Sequence, residues 1–294
     1  MIDRSLGDRV FNVVNYVLLS LICLIVLYPL LFVLSASVSN PEAVLRGEMW
    51  LIPNGFNMDS YVKIFQNKDI LMGYGNTIVY TVAGTALNLV MTVCAAYPLS
   101  RRDFAGRGLI TGMIVFTMFF SGGLIPTYLL IKNLSMLDTF WVMIIPNAVS
   151  VWNIIIMRTF FQQSIPGEIQ EAAMIDGCSH FQTLFRVVLP LSMPIIAVMV
   201  LFYAVGHWNA YFNALIYLSS KDKFPLQLIL RELLVQSDSG DFIKLTSEAG
   251  VRLKMSMEGL KYAVLVVANL PMLILYPFLQ RYFVKGIMIG ALKG

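Results

Sequence analysis

Six long runs of this sequence contain no Asp, Glu, Lys or Arg, and they limit the possible fold more than any other feature. The runs are Val10–Val38, Ile70–Ser100, Gly108–Ile131, Thr139–Met157, Val187–Ser220 and Tyr262–Gln280. A helix needs roughly 20 apolar residues to cross the hydrocarbon core of a bilayer. The runs are continuous and do not alternate apolar with polar residues, which argues against membrane-spanning strands. The sequence therefore predicts an all-α integral membrane protein with six transmembrane helices. We place them at about 10–38, 72–99, 109–131, 139–157, 191–218 and 262–280.

Composition supports the same class of protein. Of the 294 residues, 58% are hydrophobic and 13% are charged, whereas soluble domains average about a quarter charged residues. A soluble protein this apolar would lack polar side chains to cover its surface. The net charge of +4 gives no indication of nucleic-acid binding. Val10–Val38 exceeds the core of a signal peptide, which is about 7–15 residues long, so we predict a retained first span.

The number of spans and the positions of Lys and Arg together predict the orientation of the chain in the membrane. Six spans place both termini on one side of the membrane, and Lys and Arg divide almost evenly between the two sides. The positive-inside rule gives most weight to charges in short segments beside the span ends. Arg101, Arg102, Arg107, Arg281 and Lys285 fit that description. We therefore expect a multi-pass protein of the cell membrane with cytoplasmic termini.

Residues 1–294 form one predicted transmembrane domain with two longer segments on the extracellular side. In segment 39–69, Asn40 followed by Pro41 predicts a helix start. Segment 219–261 is either a docking surface for a partner or a solvated loop with a short helix. Prolines in the spans predict kinks, which suit a bundle that opens and closes but are also common in membrane proteins. These prolines are Pro29, Pro98, Pro126, Pro146, Pro194, Pro271 and Pro277.

A polar loop at 158–190, between the fourth and fifth spans, shows a succession of helix signals. Pro166 suits the first turn of a helix, and Glu168 places negative charge near its positive end. Gly177 predicts the end of that helix. Ser179 with Gln182 three residues later predicts a capping box and a second helix. The loop is therefore predicted to be a helix, a tight turn and a second helix.

The first predicted helix carries features suited to contact with another protein. Ala172 and Ala173 give it a thin face that a second surface could approach closely, and Glu171 offers a carboxylate to a partner's Lys or Arg. This combination predicts that the loop does more than join two spans.

The same residues resemble the EAA motif of ABC importer permeases. In that motif EAA is followed by three residues, Gly, nine residues and Ile-x-Leu-Pro, and Val187 here stands where isoleucine is usual. The matching residues are Glu171, Ala172, Ala173, Gly177, Leu189 and Pro190. The rest of the chain is similar to the maltose-transporter-like carbohydrate permeases of second-subunit type. That likeness is carried by His207–Asn209, Ala210–Leu215 and Tyr276–Gly286.

The resemblance implies the type I ABC importer fold, with the EAA loop as a coupling helix that binds a separate ATPase. It also implies a heterodimer with a second permease subunit, together with two ATPase subunits, an extracellular solute-binding protein and a sugar substrate.

 The predicted activity is that of a permease subunit of an ATP-driven sugar importer, with an oligosaccharide as the expected cargo.

The chain lacks the motifs that would let it use ATP itself. It has no G-x-x-x-x-G-K-[ST] phosphate loop, no H-E-x-x-H zinc site and no G-x-S-x-G nucleophile elbow. Cys23, Cys94 and Cys178 show no metal-binding spacing. We therefore expect a transport subunit rather than an enzyme, with no cofactor or metal of its own and with ATP and Mg on a partner ATPase.

A substrate path needs aromatic rings and dense hydrogen-bonding groups, because each sugar hydroxyl stripped of water must find a partner. In the fifth span, helical spacing of i, i+4 and i+8 would place such groups on shared faces. The candidates there are Tyr203, His207, Trp208, Asn209, Tyr211 and Asn213, and those in the fourth span are Asn147, Trp152 and Asn153. The alternative is structural, since aromatic residues favour membrane interfaces and Asn joins helices.

Three other functions remain open on the sequence. An ion-coupled secondary transporter usually carries ionisable residues inside its spans and often inverted repeats, and neither is evident here. An ABC importer permease for a solute other than a sugar would share the loop architecture. The third is a non-transporting membrane scaffold or enzyme, although no catalytic constellation is evident in the sequence.

Overall fold

The computed structural model describes residues 6–239 and 257–277, and this part of the chain is helical with no strand. The helices of the first half are α1 Leu6–Ser37, α2 Pro41–Leu45, α3 Asp59–Gln66, α4 Lys68–Ser100, α5 Arg107–Phe119 and α6 Leu124–Asn133. Those that follow are α7 Val151–Ser164, α8 Gly167–Ile175, α9 His180–Thr183, α10 Leu189–Leu191, α11 Met193–Trp208, α12 Phe212–Tyr217, α13 Leu226–Ser239 and α14 Met257–Pro277. The prediction of an all-α protein is confirmed for the described residues.

Three of these helices, α1, α4 and α14, are long and apolar enough to cross a membrane by themselves. They contain the predicted first span as far as Ser37, the whole of the second and the described part of the sixth. The last residues of the sixth, 278–280, lie outside the described residues. Two further pairs of helices, α5 with α6 and His180–Leu191 with α11, could each form one bent span. They raise the number of candidate spans to as many as five. The count of six therefore stays a prediction.

The predicted third span, 109–131, is bent at its middle rather than continuous. Helices α5 and α6 meet at an angle of 109°. The chain between them contains Gly122 and Gly123, and Gly123 has a φ of +85°. That left-handed conformation is open to glycine and costly for most other residues. The bend therefore lies at a glycine pair and not at Pro126, which is inside α6.

The predicted fourth span, 139–157, also differs from a single helix. A short 3₁₀-helix covers Phe140–Met143, and α7 begins only at Val151 and continues to Ser164. Pro146 lacks an N–H group and disfavours helical backbone at the residue before it. The side chain of Ser150 then caps α7 by accepting a hydrogen bond from the Asn153 N–H group at 3.4 Å. The polar loop consequently begins later than the sequence predicted.

The predicted fifth span, 191–218, is divided between α11 and α12. Asn209 ends α11, and its Nδ2 donates to the carbonyl oxygen of Val205 at 3.0 Å. At the other end, α11 makes an angle of 83° with the helical segment His180–Leu191. Tyr211 and Asn213 therefore lie beyond the helix that carries Tyr203 and His207.

The described residues group into two compact units. One takes in the chain up to Leu71 together with Leu230–Asn269 as far as it is described, and the other takes in Met72–Ile229 and the described residues after Asn269. The second unit contains a core formed by side chains of α4, α7 and α11 and of the loop between α7 and α11. Its buried members are Val93, Ala96, Tyr97, Leu99, Ile154, Met157, Phe161, Ile165, Leu184, Val188, Ile195, Met199 and Tyr203.

The first unit contains α1 to α3 and most of α14. The predicted helix start at Asn40 is confirmed: its Oδ1 accepts a hydrogen bond from the N–H group of Glu42 at 3.0 Å, and Pro41 is the first residue of α2. The hydroxyl of Tyr61 on α3 donates to Ser37 Oγ at the end of α1 at 2.8 Å. The bond from Tyr61 ties the end of α1 to α3.

Candidate functional site

The helix α8 ends in a fully bonded C-cap. Gly177 has a φ of +82°, and its N–H group donates to the carbonyl oxygen of Met174 at 3.0 Å. The N–H group of Cys178 donates to the carbonyl oxygen of Ala173 at 2.9 Å. This pair of bonds is the Schellman arrangement, in which a left-handed residue closes the helix. The predicted stop at Gly177 is confirmed, and Pro166 proves to be the residue before the first turn rather than a member of it.

The second helix begins with the predicted capping box. Gln182 N–H donates to Ser179 Oγ at 3.3 Å, and Ser179 N–H donates to Gln182 Oε1 at 2.9 Å. From Leu184 to Val188 the helix widens into a π-helical turn. Pro190 explains it, because proline has no N–H group and its ring collides with the carbonyl four residues earlier. The wider turn accommodates the missing N–H group and the proline ring, as π-bulges do within helices.

The exposed and buried faces of α8 divide the candidate coupling residues into two groups. Glu171 and Ala172 are exposed, whereas Ala173 is buried in a helix that packs against α9 and the π-helical turn. Leu189 is partly buried and Pro190 is exposed. Of the two alanines, Ala172 is thus available to a partner. The small side chain of Ala173 lets α8 pack closely against α9 and the π-helical turn.

A single arginine fastens α8 to the end of α4. The Arg101 guanidinium donates to Gln170 Oε1 at 2.9 Å and approaches the Met174 sulfur at 3.6 Å. Its Nε and Nη2 each donate to a carboxylate oxygen of Asp103 at 2.9 Å. This ion pair holds the pKa of Asp103 below its usual value. The Arg101 side chain is only 11% exposed, so it lies between α8 and the loop that follows α4.

The last carbonyl groups of α4 are also capped by side chains. Helix ends leave such groups without partners inside the helix. On α7, Arg158 Nε donates to the Leu99 carbonyl oxygen at 2.9 Å, and Gln162 Nε2 donates to that of Ser100 at 3.3 Å. Beside them lies a cavity of about 590 Å³. It is lined by Ser100, Arg101, Arg102, Asp103, Arg107, Phe161, Gln162, Ile165, Gly167, Glu168, Gln170, Glu171 and Met174.

A second polar cluster joins α11 to α4. His207 Nε2 lies 2.6 Å from Asn88 Oδ1, and Asn88 Nδ2 donates to the carbonyl oxygen of Asn147. The hydroxyl of Tyr203 lies 2.6 Å from Thr92 Oγ1. Tyr203 and His207 are buried, so the structure brings these two candidates together as the spacing predicted, but against a neighbouring helix.

Glycine makes this approach possible. A Cβ atom added at Gly84 would lie 2.4 Å from the Cε1 and Nε2 atoms of His207. Trp208, the next residue, is also buried and makes an edge-to-face contact with Tyr74, with ring centroids 5.6 Å apart. The imidazole of His207 therefore lies directly against the backbone of α4.

The remaining candidates for the substrate path differ in exposure. Asn209 and Tyr211 are exposed, and Asn213 is partly exposed. The predicted fourth-span group divides in the same way. Asn147 and Trp152 are exposed, while Asn153 is buried.

Sequence reasoning missed four residues that position these sites, namely Gly84, Asn88, Thr92 and Arg101. The first three follow the i, i+4, i+8 spacing of one helix face, which was applied to α11 and not to α4. That spacing could have indicated them. Arg101 was noticed only as a charge beside a span, and nothing local indicates that it reaches α8.

Comparison with known proteins identifies the family. Residues 3–289 match the family described as binding-protein-dependent transport system inner membrane component. The chain therefore belongs to this family of transport permeases, and the resemblance to ABC importer permeases is confirmed.

Individual relatives agree over nearly the whole chain. Protein LplC of Bacillus subtilis strain 168 is 42% identical over 98% of this chain and 96% of its own length. The polygalacturonan/rhamnogalacturonan transport system permease protein YtcP of the same strain is 41% identical over 98% of this chain and 99% of its own length. A crystal structure of a bacterial ABC transporter involved in the import of the acidic polysaccharide alginate includes a chain that is 36% identical to this one. The match has a TM-score of 0.86 and covers 96% of this chain and 100% of that chain.

Proposed function

We propose that this chain is the permease subunit of an ATP-driven importer of acidic oligosaccharides, and that α8 couples it to a partner ATPase. The observation that carries the coupling role is the geometry of α8. It is capped at its C-terminal end, exposes Glu171 and Ala172, and is fastened to α4 through Arg101. A helix held in this way transmits a push from a partner to the spans instead of bending aside.

Membership of the family supports the proposed assembly. A second permease subunit would complete the translocation path, two ATPase subunits would bind ATP and Mg, and an extracellular solute-binding protein would deliver the cargo. The termini and α8 would then lie on the cytoplasmic side. Glu171 and Ala172 would contact the ATPase, while Ala173, Gly177, Leu189 and Pro190 would hold the shape of the loop.

The residues of the candidate path would have two roles. Asn209, Tyr211 and Trp152 are exposed and are suited to contact the sugar. Tyr203 and His207 are buried against α4 and would hold α11 in place. Neutral donors of this kind can hydrogen-bond both hydroxyl and carboxylate groups.

The acidic cargo is inferred from the relatives. Polygalacturonan, rhamnogalacturonan and alginate all carry uronic acid carboxylates, and the proteins named for them match this chain over nearly its full length. The test is stimulation of ATP hydrolysis by the reconstituted complex with its solute-binding protein. Oligouronides should stimulate it and neutral oligosaccharides of equal length should not. Stimulation by neutral sugars alone would refute the acidic cargo and leave the coupling role intact.

The coupling role has its own test. Glu171→Lys reverses the charge that a partner's cation would meet, so uptake and cargo-stimulated ATP hydrolysis should both be lost at a normal membrane level of the complex. Glu48→Lys is the control, because it makes the same charge reversal at an exposed residue outside the loop. Normal uptake by Glu171→Lys would contradict the proposal.

A further inference from the structure

The segment between α2 and α3 carries apolar side chains that are exposed on the surface of the protein. Trp50 is 73% exposed, Ile52 81% and Phe56 75%. We call these three residues the apolar rim. No charged residue occurs between Met49 and Met58, so the rim carries no charge of its own.

The rim does not belong to a loose loop. The N–H group of Asn57 donates to the carbonyl oxygen of Val38 at 2.8 Å, and that of Asn40 donates to the carbonyl oxygen of Asn54 at 2.9 Å. Asn54 N–H in turn donates to Ser39 Oγ at 3.2 Å. The segment is therefore bonded to the residues that immediately follow α1.

One further bond fixes its position along α1. Ser35 Oγ donates to the carbonyl oxygen of Leu51 at 2.5 Å. Ser35 is two residues before the end of α1 at Ser37, which is about 3 Å along a helix axis. The backbone between Trp50 and Ile52 consequently lies at the level of the last turn of α1.

If α1 crosses a bilayer, as its length and apolar composition allow, that level lies at the bilayer edge. Helix α1 has 32 residues, whereas roughly 20 suffice to cross the hydrocarbon core, so its last turn reaches the headgroup region. Aromatic residues are enriched at this depth, where an apolar ring meets the boundary between hydrocarbon and water. The rim thus combines the composition and the depth of an interfacial anchor.

We propose that the apolar rim inserts into the lipid headgroup region of the leaflet in which α1 ends, and that it anchors this end of α1 to the membrane. The solute-binding protein is the alternative occupant, but it would cover the rim only while it is bound. The lipid is favoured because the rim is uncharged, while the neighbouring Arg46 pairs with Glu42 and lies 4.0 Å from Glu48.

Spin labels measure the depth of the rim directly. In the intact complex in lipid nanodiscs, with the three native cysteines replaced, Trp50→Cys and Phe56→Cys carry the label, and Glu48→Cys on the same segment is the control. The two rim positions should show a severalfold higher ratio of oxygen to nickel-chelate accessibility than Glu48→Cys. Equal ratios in the absence of the binding protein would overturn the proposal, and so would shielding that appears only when the binding protein is added.

A second measurement leaves the cysteines in place. Brominated phospholipids quench tryptophan emission at headgroup depth only on contact, so the wild-type complex should lose a component of emission that Trp50→Phe lacks. If the two proteins are quenched to the same extent, Trp50 does not contact lipid and the proposal fails.

Discussion

Gly177 allows the most direct test of the proposed coupling loop. At this residue the cost of the backbone conformation can be distinguished from the cost of a steric clash. Its φ of +82° lies in the left-handed region, and a Cβ atom added there would meet nothing within 4 Å. A Cβ atom at this position therefore meets open space among the described residues. Among these residues, the cost of a substitution comes from the backbone conformation alone.

The magnitude follows from that conformation. A residue other than glycine costs about 1–2 kcal/mol in the left-handed region, which changes a conformational equilibrium about 5–30-fold. Asparagine tolerates this region better than other residues and also occurs as a helix cap. A β-branched residue such as valine is the least suited to it. We expect uptake to fall in the order Gly177, Gly177→Asn, Gly177→Ala, Gly177→Val.

The assay is uptake and cargo-stimulated ATP hydrolysis by the complex in proteoliposomes, at matched membrane levels. Gly177→Asn should retain most activity, and Gly177→Val should lose most of it. Equal activity of the two variants would refute the conformational argument. Equal loss in both would refute it as well, because it would show that any side chain obstructs the partner whatever backbone conformation it prefers.

Two further predictions concern the supports of the two sites, and a third concerns the contact in which Ser220 donates hydrogen bonds to the Asp138 carboxylate. Arg101→Lys keeps the charge but loses the planar fork, so uptake per ATP hydrolysed should fall severalfold in proteoliposomes. Gly84→Ala forces a methyl group against His207, and should lower the thermal stability of the purified complex, whereas Gly75→Ala meets open space and should not. Hydrogen bonds from Ser220 hold the pKa of Asp138 below its usual value. The stability it contributes is present above the unfolded pKa of about 3.9 and is lost as the pH falls below it, so Asp138→Asn should flatten the acid side of a pH–stability profile.

The signals that the sequence carried reliably were local. Gly177 and the pair Ser179 and Gln182 act on backbone groups within a few residues, and their types and spacing determine the bonds they make. The helix–turn–helix loop could therefore be predicted almost residue by residue. Of these residues, Gly177 also belongs to the EAA motif on which the resemblance to the family rests.

The parts that could not be predicted depend on contacts between distant segments. Apolar composition is the same in a straight span and in one broken at Asn209 or at Gly123, so the runs alone did not locate the breaks. Helical spacing correctly paired Tyr203 with His207, but it could not reveal whether they face a cavity or α4. Arg101 meets Gln170 only after the chain has folded.

Helix α4 connects the two candidate sites within one unit of the protein. Arg101, immediately after its last residue, holds α8, while Asn88 and Thr92 hold α11. The distance from residue 88 to residue 101 is about 20 Å along a helix. His207 packs directly against Gly84, with no room even for a Cβ atom between them. A displacement of α4 relative to α11 must therefore move the imidazole or break its hydrogen bond. A partner that pushes on α8 would thus act on the candidate substrate path through a single helix.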